Sequence, residues 1–250
     1  MAIADRIVEP FSKALARFLT TPLKGGPTPS TCSFDALRGA LQPGDVLLVE
    51  GNSRVASVIK YLTQSTWSHA AVFTGPIAGA TKAGEEPHVL VEAELEEGVI
   101  SSPLSKYDGA HVRICRPVGL KPGEIEMLLA YMIERIGFSY DLKNVVDLAR
   151  YLMPTPPVPA RFRRRMIALG SGSPTRAICS TLIAQAFEAV RYPILPTIER
   201  IGSGRRSRDI YHIRHHSLYA PRDFDISPYF AVVKPTIVAG FDHHKLTWAV

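Results

Sequence analysis

Cys179 lies in the run Ala177-Ile178-Cys179-Ser180-Thr181-Leu182-Ile183, where the loop-forming stretch Gly170-Ser171-Gly172-Ser173-Pro174 gives way to an amphipathic pattern. Apolar residues recur at Ile178, Leu182, Ile183, Ala186, Phe187 and Val190, the spacing of one helical face. A thiol in the first turn of a helix feels the positive end of the macrodipole and a set of N–H groups without intrahelical acceptors. Both favour the thiolate, so the position suits a nucleophile. The competing reading is a small buried hydrophobe.

A cysteine nucleophile needs a base for its proton and a group to orient that base. Of the eight histidines, His212, His215, His216, His243 and His244 fall in polar C-terminal stretches, and His88 and His111 stand at strand entries without distinguishing context. His69 differs. It opens the apolar run Ala70-Ala71-Val72-Phe73 directly after Trp67-Ser68, and an imidazole entering a sheet there must find a polar partner. In His88-Val89-Leu90-Val91-Glu92-Ala93-Glu94, period-2 alternation puts Val89, Val91 and Ala93 on one face and both glutamates on the other. Beside the His69 strand, either carboxylate could hold the imidazole; alternation does not separate Glu92 from Glu94.

These side chains need a scaffold. Leu41-Gln42-Pro43-Gly44-Asp45 is a turn feeding a strand over 46–49, and Val55, Val58, Ile59 and Leu62 predict a helix over 54–62. Extended segments are expected at 69–74, 88–94 and 111–116, with a closing strand over 229–234. Helices are predicted at 124–136, on the stripe Ile125, Leu128, Leu129, Met132, Ile133 and Ile136, and at 141–152, ended by the prolines of 154–159. Strands in the middle, with helices before and after them, indicate an α+β domain with an antiparallel sheet packed against helices. Residues 1–30 are read as an N-terminal amphipathic helix, its apolar face running from Ile3 to Leu19, followed by a Pro/Gly/Thr-rich linker; residues 31–250 are read as the main domain.

The chain has 250 residues, 46% hydrophobic and 21% charged, ordinary values for a globular domain with a sizeable core. The net charge of +6 gathers partly in Arg161–Arg165 and Arg205–Arg208. Aromatic residues are too sparse around them for base stacking, so no nucleic-acid partner is expected. Three scattered cysteines make neither a disulfide framework nor a CxxC-type metal site, which points to a reducing, cytoplasmic setting. Asp5, Glu9, Lys13 and Arg17 interrupt the apolar runs a secretory signal needs. The N-terminal helix is expected to pack onto the domain, with peripheral membrane contact as the alternative.

Taken in order, Leu41-Gln42-Pro43-Gly44-Asp45-Val46-Leu47, Trp67-Ser68-His69-Ala70, Val91-Glu92-Ala93, Tyr140-Asp141 and Ile178-Cys179-Ser180 resemble the circularly permuted NlpC-type papain-like cysteine hydrolases. The resemblance is to their YiiX/YebB-like bacterial branch, more distantly related to lecithin–retinol acyltransferases, and covers roughly residues 41–190. It implies a permuted papain-like fold and a thiol hydrolase or acyltransferase acting on peptide or lipid acyl groups without a cofactor. Cys179 would be the nucleophile, His69 the base and Glu92 its orienter. Tyr140 would help the Cys179 backbone N–H to stabilise an oxyanion, unless it is simply a loop aromatic before a helix. Ile178 and Thr181 depart from the family pattern, which commonly has Tyr and Glu there; neither is expected to carry the chemistry, but both could line the cleft. Two rivals remain: a metal site, for which His69, Glu92, Cys179 and the C-terminal histidines offer donors, and a non-catalytic binding module on the same fold.

Overall fold

The computed structural model describes residues 17–23, 28–138, 178–201 and 208–245. Ser33 accepts a hydrogen bond from the Ala36 backbone at 3.3 Å and so starts α1 (Phe34–Ala40). After β1 (Val46–Val49), Ser53 caps α2 (Arg54–Thr63) in the same way, and Gln64 ends it in the left-handed conformation, φ 52°. There follow β2 (His69–Phe73), β3 (His88–Glu94), β4 (Gly98–Pro103), a 3-10 turn at Leu104–Tyr107, and β5 (Val112–Pro117). Pro122 opens α3 (Pro122–Ile133), where Glu124 accepts from the Lys121 backbone at 2.8 Å. Next along the chain are α4 (Ile178–Ala189), β6 (Thr197–Ile201), β7 (Arg208–His212), α5 (Pro221–Asp225), β8 (Phe230–Val233) and α6 (Pro235–Val238).

Six strands form one antiparallel sheet in the order β4-β3-β2-β1-β5-β8, and β6 and β7 form a separate hairpin. The architecture is α+β. Val46, Leu48, Ala70, Val72, Val91 and Ala93 bury one sheet face against Leu182, Ile183, Ala186 and Phe187 of α4, with Leu128 and Met132 of α3 in the same cluster. Leu47, Val49, Ala71, Val112 and Ile114 bury the opposite face against Leu37 and Ala40 of α1 and against Leu104 and Tyr107. β1 and β2 are therefore apolar on both sides, which is why 46–49 and 70–73 read as unbroken hydrophobic runs.

The expected elements hold to within a few residues, with instructive differences. The helix expected over 124–136 begins two residues earlier, at its proline, and stops at Ile133; Ile136 lies in the turn beyond. Leu128 and Met132 are buried, but Ile133 is exposed. The polar, basic stretch after residue 200 holds part of a hairpin that its composition does not announce.

Residues 3–16 and 141–152 of the two other predicted helices lie outside the described residues. The end of the first, 17–20, is helical, and Leu19 is fully buried. The described ends of the expected linker are pinned: the Leu23 backbone donates to Asn52 at 2.8 Å, Pro22 bridges to Ser53, and Pro29 bridges to Ala110.

Candidate active site

Antiparallel pairing of β2 and β3 sets Ala71 opposite Glu92. His69, two residues from Ala71, shares its face and becomes the diagonal neighbour of Glu92. The imidazole Nε2 meets Glu92 Oε2 at 2.6 Å. This bond occupies Nε2 and leaves Nδ1 as the nitrogen available to the sulfur of Cys179, which lies close enough to raise the pKa of the ring. Cys179 is the second residue of α4, whose body packs on β2 and β3. Cys179, His69 and Glu92, 110 residues apart at the extremes (179 − 69), thus come together at one end of the sheet.

Glu92 is fully buried, so its charge needs several partners. Besides His69 it accepts from Ser102 of β4, from the Tyr107 hydroxyl, and from Lys106 Nζ at 2.8 Å. Burial alone would raise its pKa, but the bonds and charges of His69 and Lys106 hold the carboxyl well below the usual range. His69 shows the converse. Burial opposes its positive form, yet the Cys179 anion, the bond to that sulfur and the Glu92 carboxylate together raise the imidazole to about 10. The centre thus favours an imidazolium beside the Glu92 carboxylate.

Glu94, indistinguishable from Glu92 by alternation, lies at the rim and takes its bond from Lys106. Lys106 remains charged because the two carboxylates outweigh the cost of its burial. Tyr107 is kept a phenol by burial and by the neighbouring Glu92 charge, so it stays a donor.

A cleft of about 390 Å³ opens over this group, lined by Cys179, His69, Ser68, Lys106 and Tyr107. Apolar walls come from Val49, Val55, Ala56, Ile59 and Leu95, and an acidic edge from Glu94, Glu96 and Glu97. Thr20 belongs to the same wall, and its hydroxyl donates to Glu96 at 2.6 Å. The described end of the N-terminal helix therefore packs on the domain, as one of the two readings of that segment expected.

The other cysteines contrast with Cys179. Burial pushes the Cys115 thiol on β5 up to about 12, and Cys32 is half-buried near Ser30.

Cys179, His69 and Glu92 are brought together as the sequence suggested; Tyr140 lies outside the described residues. Thr181, which could have lined the cleft, is not among its lining residues, and its buried hydroxyl has no hydrogen-bond partner among the described residues. The side chain of Ile178 is not described. The C-terminal histidines of the metal alternative are otherwise engaged, His212 with Glu199, His215 with Ser217 and His216 with Glu188. Among the described residues, the one set of three donors close enough to share an ion is Asp242, His243 and His244, all exposed. Ser102, Lys106 and Tyr107 went unnoticed in the sequence; their order and spacing carry no signal that links them to Glu92.

No family model matches the chain. It is similar to the Holliday junction branch migration complex subunit RuvB of Staphylococcus saprophyticus, 26% identical over 135 residues, which are 52% of this chain and 40% of that protein. It is also similar to RuvB of Granulibacter bethesdensis, 25% identical over 130 residues, 50% of this chain and 35% of that protein. The chain thus spans less than half the length of the curated relatives it matches. Among solved structures it is similar to the metalloprotein yiiX of Escherichia coli O157:H7, with a TM-score of 0.46 and 13% identity over 78% of this chain and 97% of that one. No helix among the described residues is long and apolar enough to cross a membrane.

Proposed function

We propose that the chain is a cysteine hydrolase or acyltransferase of permuted papain-like fold, working on peptide or lipid acyl groups through Cys179, His69 and Glu92. The observation that carries this reading is the imidazole of His69 held at 2.6 Å by a fully buried Glu92 and standing in the same cleft wall as Cys179. The sulfur anion attacks a carbonyl carbon and the carbonyl π pair moves to oxygen. Collapse of this oxyanion expels the amine or alkoxide, which takes its proton from the His69 imidazolium. The resulting thioester is resolved by water or another acceptor, whose proton returns to the now neutral imidazole. Glu92 remains ionised throughout and keeps Nδ1 turned to the sulfur. The largely apolar cleft beside Cys179 suits an acyl group.

An electrophilic acyl probe tests the reading. Cys179→Ala should abolish labelling while thermal unfolding stays cooperative; labelling that persists at another residue rejects the assignment.

A further inference from the structure

The carbonyl oxygen that turns into an oxyanion needs donors of its own, and one comes from the backbone N–H of Cys179 in the first turn of α4. We propose that the Ser68 hydroxyl is a second donor, a catalytic group that hydrogen-bonds the oxyanion as it forms. The proposal rests on the thiol-hydrolase reading above.

Ser68 precedes His69, and the cleft wraps round the end of β2 so that both residues stand in its wall with Cys179. Ala70 and Val72 face α4, so Ser68, two residues before Ala70, turns to the side on which α4 packs. It is only 4% exposed. Its oxygen accepts the Gly51 N–H at 2.8 Å, and its own O–H has no acceptor among the described residues. A buried hydroxyl that accepts but does not donate has a proton to spare, and leaving it unused costs free energy.

The position is also built for the hydroxyl. A Cβ at Gly51 would stand 2.9 Å from Ser68 Oγ and 2.9 Å from the Ala56 Cβ, so the glycine is required by close approach and not by backbone conformation. Glycine at 51 lets the backbone N–H reach the serine oxygen and fix it, which directs the free O–H away from the backbone. The donor is thus oriented before any substrate arrives, as oxyanion stabilisation requires.

Two reagents separate this role from a structural one. Iodoacetamide alkylates the thiolate by displacing iodide at a saturated carbon, with no oxyanion. p-Nitrophenyl acetate acylates it through an oxyanion and releases p-nitrophenolate. Rates at Cys179 would be followed by peptide mapping in the full chain. Ser68→Ala should slow acylation roughly 10²-fold and leave alkylation nearly unchanged, while Ser68→Thr, which keeps the hydroxyl, should acylate close to wild type. Equal losses in both reactions, or no loss in acylation, overturn the proposal. Should Ser68→Ala not fold, the isosteric pair Ser68→Thr and Ser68→Val carries the same comparison. A wild-type Cys179 that neither acylates nor alkylates faster than Cys115 overturns the thiol-hydrolase reading itself, an outcome visible before any Ser68 variant is made.

Discussion

Glu92 carries the heaviest demand of any single residue, a full charge out of water answered by His69, Ser102, Lys106 and Tyr107. Glu92→Gln keeps the shape but removes the charge that favours imidazolium; acylation of Cys179 should drop by about 10²–10⁴-fold, as for loss of the orienting carboxylate in other triads. Comparable rates in the two proteins would rule out an orienting role. The pH dependence follows from His69. Its folded pKa, about 10, lies above the free value of 6.5, so the fold favours the protonated ring. That stabilisation is complete below 6.5 and is lost as pH rises through about 10. Turnover should show a basic limb near 10, where the general acid disappears, and the thermal stability of wild type relative to His69→Gln should decline over the same interval. Cys179 and His69 were legible because each breaks a local pattern, a thiol at a helix start and an imidazole at the mouth of an apolar strand. Lys106 and Tyr107 break none; their meaning arises only when the 3-10 turn after β4 folds back beneath β3.

Among the elements, the segment around Leu19 links sequence pattern to cleft shape. Leu19 is fully buried, Thr20 holds Glu96, and Leu23 is fastened to Asn52, so the segment bridges the β3–β4 turn and the start of α2. Leu19→Ala should cost roughly 2–5 kcal/mol, in the range for truncating a buried leucine, measured by denaturant unfolding. Removing residues 1–20 should open the cleft wall without changing liposome flotation; flotation lost on truncation would instead make the segment a membrane anchor. Its periodicity was readable, but burial and interfacial binding call for the same apolar stripe, and only its contacts decide. β4 and the β6–β7 hairpin were missed for different reasons. Gly98-Val99-Ile100-Ser101-Ser102-Pro103 is short and ends in proline. In the hairpin every residue of β6 is exposed, so no buried face imposes an apolar alternation.

At the scale of the molecule, the sheet order could not be read from sequence, because strands buried on both faces lack the alternation that would mark their partners. Their positions were legible, since turns and apolar runs fix those locally. One ion pair clamps the middle of the sheet. Arg116 of β5 grips the buried Asp45 before β1 with two bonds, at 2.8 and 2.7 Å, and also donates to the Ala40 carbonyl at 2.6 Å. Arg116→Ala should destabilise the protein by about 3 kcal/mol, the low end for orphaning a buried charge because the guanidinium is partly exposed. Denaturant unfolding would check it, and a change within error would mean water satisfies Asp45.

The far end of the chain reaches back to the strand that bears the base. Trp67 Nε1 donates to Asp225 at 2.9 Å, and Arg222 donates to the Thr63 carbonyl at 2.8 Å. During synthesis, a ribosome must therefore extend the chain through Asp225, long after His69 has been made, before those anchors exist. If Cys179 is the proposed nucleophile, a product stopped before that point would carry its sulfur without a firmly seated imidazole, and so would be spared from modifying its neighbours while still immature.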